Sequence, residues 1–362
     1  MHLTSPLSDP FPPPTPRARL HAATLVEGVS AHVAVAALRR DPSAWGAPLG
    51  LSARAATAWR AGITDPRLPA RYHAEVARLA RLGAWTRTPL DPEWPVGVSL
   101  NGVLRGRGAL TDAPTLGVVG SRRADPHGLE IAARLARSAV ERGVTVVSGG
   151  AFGIDVAAHR AALDAGGETV VVLGSGLCHP SPRAHRGLFD RVVAHGAVVS
   201  CFGCDRTPAR WTFPRRNAWI AALSMDLVVV QAGVSSGALL TAREALRMNR
   251  RVWVVPGPID APLHAGCHRL VDRGARILTR VDAWHTQVDD AAAMTDDRPP
   301  ADGRRLWDAA SVEPATLADI ARRAGLPIEQ AMVTATMLEL SGWFRGAPGA
   351  RYARARPCGR AS

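Results

Sequence analysis

At 362 residues the chain has room for two or three domains with well-buried cores. Its 44 basic residues are all arginine against 31 acidic ones, and the net charge of +13 suits the surface to a polyanion. Five scattered cysteines exclude a secreted disulfide scaffold, and no apolar stretch approaches a membrane span, so the composition predicts a cytoplasmic protein with no membrane partner.

Residues 1–20 carry Pro10, Pro12, Pro13, Pro14 and Pro16 and read as a disordered tail without the apolar core of a signal peptide. Apolar residues then fall at helical spacing in three blocks, 31–38, 51–59 and 72–82, divided by Pro42, Gly46, Gly50, Gly62 and Pro66. They predict a small helical domain over 21–88. After a connector in which residues 103–108 can add a strand to a sheet's edge, the pattern changes to alternating strands and helices. Strands are expected at 116–119, 144–147, 170–173, 198–200, 227–230 and 252–255, with helices at 128–141, 154–163, 184–194, 216–223 and 239–248. Runs such as Thr169–Leu173 are apolar on both faces, as in a parallel sheet covered on both sides, so residues 89–285 form an α/β domain. Residues 286–303 read as an acidic linker, and 304–356 as three helices and a glycine-bearing hairpin, a winged helix.

Four polar turns follow apolar runs of the sheet domain, where an open parallel sheet places its ligand crevice. Gly120-Ser121-Arg122 ends the first strand, where free amides can face an anion and Arg122 can fork onto it. Ser148-Gly149-Gly150 lets the backbone approach closely; Asp155 complements the next helix dipole, and His159 reads as buried or hydrogen bonded. Phe213-Pro214-Arg215-Arg216-Asn217 has two readings: the ring stacks a base while the arginines grip phosphate, or the ring packs in the core of a helix start with the arginines exposed. Ser236-Gly237, ahead of a helix containing Thr241, adds amides and hydroxyls for a second anion pocket. Cys201-Phe-Gly-Cys204 stands alone, so neither a metal nor a cofactor is expected. The third winged-helix segment, 328–340, carries Glu329 and Glu339 and no basic residue, which argues against major-groove reading.

Together these residues resemble the family of DNA-processing protein A, also called Smf. The Gly-Ser-Arg turn is Gly120, Ser121 and Arg122; the Phe-Pro-x-Arg-Asn stretch is Phe213, Pro214, Arg216 and Asn217; the Ser-Gly-x-x-x-Thr-Ala segment is Ser236, Gly237, Thr241 and Ala242. Residues 338–344 and 348–352 match again in the winged helix. The resemblance implies an extended Rossmann-like parallel sheet, an N-terminal helical SAM-like domain and a C-terminal winged helix. It also implies a homodimer formed through the sheet domain, single-stranded DNA as ligand, RecA recombinase as partner in natural transformation, and no chemical step. A DNA-binding site is thus expected from Gly120, Ser121, Arg122, Gly149, Phe152, Phe213, Arg215, Arg216, Asn217, Ser236, Gly237 and Thr241. Phe152 stands where the family has an arginine, and Ala218 where it has another; these losses weaken phosphate binding, and stacking by Phe152 offsets them in part. Gln231 replaces the usual Glu, and residues 181–185 depart from Tyr-Pro-x-x-Asn.

The competing reading is an enzyme. Residues 236–244 also resemble the phosphate loop of lysine-decarboxylase-like nucleotide phosphoribohydrolases, keeping Gly237, Thr241 and Glu244 but losing the proline and two glycines that admit a ribose phosphate.

Overall fold

The computed structural model describes residues 11–285 and 303–354, apart from 14, 28, 42, 44, 47–49, 111, 312, 341–342 and 348–350. The chain divides into two units between Trp284 and His285. The first opens with four helices, α1 (Pro16–Ala23), α2 (Ala31–Arg40), α3 (Ala53–Ile63) and α4 (Leu68–Arg81). Residues 16–20, expected to be disordered, are the start of α1. Pro16 occupies the first turn, where a missing N–H is no loss, and Thr15 Oγ1 accepts from the Ala18 amide. Ser30 and Ser52 cap α2 and α3 in the same way. Leu20, Val35, Leu38 and Trp59 form the helical core, and the Trp59 indole N–H donates to the Trp45 carbonyl at 2.9 Å.

Among the described residues the following sheet has nine strands: β1 (Trp85–Arg87), β2 (Leu104–Gly108), β3 (Thr115–Val119), β4 (Thr145–Ser148), β5 (Thr169–Val172), β6 (Gly196–Ser200), β7 (Asp226–Val229), β8 (Arg251–Val254) and β9 (Arg276–Ile277). Their order is β1-β2-β6-β5-β4-β3-β7-β8-β9, with the β1–β2 and β2–β6 pairs antiparallel and the other pairs parallel. The strand expected at the edge, β2, is second. The three-residue β1 covers it, and Gly106 leaves the space that the Trp85 ring fills.

Helices α5 (Pro126–Val140), α6 (Ile154–Asp164) and α7 (Arg186–His195) cover one face. The other face is covered by α8 (Thr212–Leu223) and α9 (Ala238–Arg247), with α10 (Ala265–Val271) behind β8. This two-sided cover is why Val146, Val147, Val171 and Val172 are all buried. The N-terminal helices are joined to the sheet by Arg105, 0% exposed, which donates to Glu75 Oε1 at 2.6 Å and Thr24 Oγ1 at 2.7 Å. Glu75 Oε2 in turn accepts from the Cys204 amide at 2.8 Å. Burial alone would raise the Glu75 carboxyl, but the His21 imidazole 3.6 Å away and the charge of Arg105 hold it at about 2.

The second unit contains α11 (Arg304–Ala309), β10 (Ala315–Thr316), α12 (Leu317–Ala324), α13 (Ile328–Leu340), β11 (Phe344–Ala347) and β12 (Arg351–Arg354). Its small sheet runs β10-β12-β11 and packs Phe344 against Leu306, Ile320 and Leu338. The hairpin tip expected at 348–350 lies outside the described residues.

Candidate nucleic-acid interface

The strand order reverses at β3, with β4 on one side and β7 on the other, so the loops after β3 and β7 part and leave a crevice at their C-terminal ends. It is a cleft of about 560 Å³ lined by Gly120, Ser121, Arg122, Phe213, Arg216, Asn217, Ser236, Gly237 and Thr241. Gly149, Phe152 and Arg215 are outside its lining. Arg123 and Arg210, not singled out in the sequence, belong to it.

Close backbone packing shapes the cleft. Gly153, at φ 76°, has no room for a β-carbon against the Ser121 carbonyl, which accepts the Ile154 amide at 3.2 Å. The bare amides expected in the turns are largely occupied. Ser121 N–H donates to the Gln231 carbonyl at 2.7 Å, and Arg123 N–H donates to Ser121 Oγ at 3.1 Å. The Asp155 carboxylate accepts from the Gly149 and Ala151 amides at 3.2 Å each, and Ser236 Oγ accepts from Ala238 N–H at 3.3 Å. The exposed donors left at the cleft are therefore chiefly guanidinium groups.

The two adjacent arginines of α8 have opposite environments. Arg216 is 4% exposed, and its Nη1 donates to the carbonyls of Gly149 at 2.5 Å and Val172 at 2.6 Å, while Nε donates to Asn217 Oδ1 at 3.1 Å. Gly149 is a glycine because a β-carbon there would overlap this guanidinium. Asn217 Nδ2 donates to the Gly237 carbonyl at 3.1 Å. Arg216 and Asn217 thus tie the ends of β4, β5 and α9 together at the wall of the cleft, and Arg216 is buried where one reading of the stretch has both arginines exposed. Arg215 points outward, with its guanidinium 5.3 Å from the Trp211 ring centroid.

Phe213 is half-buried, packed on Gly174 and flanked by the guanidiniums of Arg122 at 5.1 Å and Arg216 at 5.9 Å. Its position combines the two readings, since one side of the ring is packed and another lines the cleft. Arg122, Arg123 and Arg210 are exposed, and none has a carboxylate partner among the described residues. The sole carboxylate among the described lining residues is Asp155, 6% exposed. Burial pushes its carboxyl above the ordinary range, against the charge of Arg216, and burial lowers the Arg216 pKa in turn. The cleft mouth is therefore positive.

The neighbouring groups have partners of their own. His159 is 0% exposed; its Nδ1–H donates to Thr169 Oγ1 at 2.7 Å, whose hydroxyl donates to the Val146 carbonyl at 2.8 Å. Burial lowers its pKa to about 3. Phe152 is half exposed and stacks edge-on against His185, 4.5 Å between centroids. Cys204 sets its sulfur 2.7 Å from that of Cys178, not against Cys201, so the C-x-x-C is not a unit. Glu244, the carboxylate of the enzyme reading, pairs with Arg247 at 3.3 Å and is not in the cleft lining. A larger cleft of about 790 Å³ lies between α5 and the loops after β8 and β9. There Arg137 is paired with Glu130, Arg142 with Glu141 and Arg280 with Asp282, and only Arg134 of the arginines lining it has no carboxylate partner among the described residues.

The first unit is thus a Rossmann-like sheet with an arginine-lined cleft at its switch point, and the second is a winged helix. A family model for DNA recombination-mediator protein A matches residues 100–289, and one for the DprA winged helix domain matches 290–350. The chain belongs to the DNA recombination-mediator protein A family, DprA/Smf. It is 37% identical over 293 residues to a putative DNA processing protein DprA of Mycobacterium tuberculosis, covering 73% of this chain and 75% of that protein. It is 36% identical over 256 residues to protein Smf of Escherichia coli, covering 67% and 68%. The structure of DNA processing protein A from Streptococcus pneumoniae superposes with a TM-score of 0.53 at 32% identity, covering 60% of this chain and 81% of that one. The Helicobacter pylori protein, solved for its single-stranded DNA binding mode, is 24% identical with a TM-score of 0.52 over 57% and 96%, a likeness of fold.

Proposed function

We propose that this protein binds single-stranded DNA in the cleft at the β3/β7 switch and acts there as a recombination mediator, without a chemical step. The observation that carries this reading is the convergence of Arg122, Arg123 and Arg210, all without carboxylate partners among the described residues, on a cleft that also presents the Phe213 ring. Guanidiniums take phosphates and the ring takes a base, a combination that tolerates any sequence but needs unpaired bases. The Helicobacter pylori relative binds the same class of ligand. On this reading the bound strand is handed to RecA recombinase, with the protein acting in the cytoplasm as a homodimer through its sheet domain. The placement of Glu244 outside the cleft supports the non-enzymatic reading over the phosphoribohydrolase one.

Mobility-shift titrations with single- and double-stranded DNA over a range of salt test the proposal. With about three phosphates neutralised, log K for the single strand falls with log salt at a slope of about −2, and the duplex binds more weakly. Equal affinity for the two forms, or a flat salt response, contradicts it.

A further inference from the structure

The cleft leaves one aromatic and arginine cluster unused. Trp211 lies in the turn into α8, two residues before Phe213, and 48% of it is exposed. That turn is fixed: the Thr212 hydroxyl lies 2.6 Å from the Gly174 carbonyl and 2.7 Å from that of Ala209, and Thr212 N–H donates to Ala209 O at 3.0 Å. The indole is thus held at the surface by its buried neighbour. Phe202 braces one side of it, with ring centroids 5.8 Å apart at 81°. The guanidiniums of Arg206 and Arg215 lie 5.4 and 5.3 Å from its centroid. Neither arginine has a carboxylate partner among the described residues.

We propose that Trp211, with Arg206 and Arg215, is a second base-stacking station for single-stranded nucleic acid, outside the cleft and on the path of the same strand. The inference rests on the reading of the cleft as a single-strand site. Continuity favours it, because Arg210 and Arg216, the chain neighbours of Trp211 and Arg215, both line the cleft. Two residues of chain span at most about 7 Å, so bases on the Phe213 and Trp211 rings belong to nucleotides close together in one strand. An acidic peptide would answer the two guanidiniums but leave the indole wet, whereas a nucleotide covers the ring with its base and meets the charges with its phosphates.

The test uses the full-length protein, Trp211→Ala and Trp211→Phe, with thymidine homopolymers, one of about four nucleotides that fills only the cleft and one several times longer. On the long strand Trp211→Ala binds about tenfold more weakly, and Trp211→Phe stays within about twofold of the parent. On the short strand all three bind alike. The long strand quenches the tryptophan emission of the parent, and less so that of Trp211→Phe. Unchanged binding of the long strand by Trp211→Ala overturns the second station and leaves the cleft reading intact, whereas a parent protein that binds neither strand overturns both. Binding of polyglutamate that Trp211→Ala abolishes, with DNA binding unaffected, assigns the station to acidic protein and overturns the proposal.

Discussion

The cleft of the first unit and the third helix of the second are both places where their architectures can meet nucleic acid, and they differ in what they expose. The cleft mouth presents Arg122, Arg123 and Arg210 around an aromatic ring. Helix α13 presents Met332 at 57%, Val333 at 68% and Met337 at 60% exposure, with Glu329 in its first turn and no basic residue. A winged helix that reads a major groove needs donors on that helix, and α13 offers an apolar stripe instead. Architecture locates a surface, and the side chains left unpaired there decide whether it attracts a polyanion.

Buried charge in the cleft holds the fold together, and on the proposed reading the exposed charge binds the ligand. Arg216→Met tests the first half most severely, since it strands the carbonyls of Gly149 and Val172 and leaves Asp155 buried without its cation. The variant should lose about 3–5 kcal/mol in denaturant unfolding. A loss well under 1 kcal/mol would mean that Arg216 is free to serve the cleft.

Acid should weaken the first unit in two stages. Unfolded His159 takes a proton near 6.5 but the folded residue only near 3, so its contribution is complete above 6.5 and declines as pH falls. Glu75 is held at about 2 against an ordinary 4.5, so its contribution is complete above 4.5 and is lost as pH falls toward 2. Melting temperature against pH should therefore drop below 6.5 and again below 4.5; a flat profile from 6.5 to 3 would contradict both assignments. The smallest effect belongs to the second unit, where deletion of residues 304–362 should weaken single-strand binding by less than about threefold. A loss of tenfold or more would place part of the interface there.

The sequence shows the sheet and its four turns well because both are local. Apolar runs of four or five residues ending in glycine or serine locate β3, β4 and β7 to within one or two residues. Proline density hid α1, where Pro16 in the first turn starts the helix it was expected to prevent. The division of labour between Arg215 and Arg216 was not legible, because neighbours on a helix point about 100° apart and the Thr212 anchor that sets α8's rotation comes from the Gly174 carbonyl, 38 residues away in sequence. The occupied amides were equally hidden, since Ser121 finds its acceptor at Gln231, beyond the neighbouring strand β7 and 110 residues on in sequence. Arg123 and Arg210 carried no motif, and only the closing of the loops brings them to the cleft.

Arg122→Glu tests the central claim most directly. The substitution replaces the guanidinium over Phe213 with a carboxylate at the cleft mouth, at an exposed position that the fold does not depend on. With circular dichroism and melting temperature unchanged, single-strand affinity should fall about 30-fold or more, through the lost charge-assisted contact and the added repulsion. A folded Arg122→Glu protein that binds single-stranded DNA as tightly as the parent would contradict the account and move the site out of the cleft.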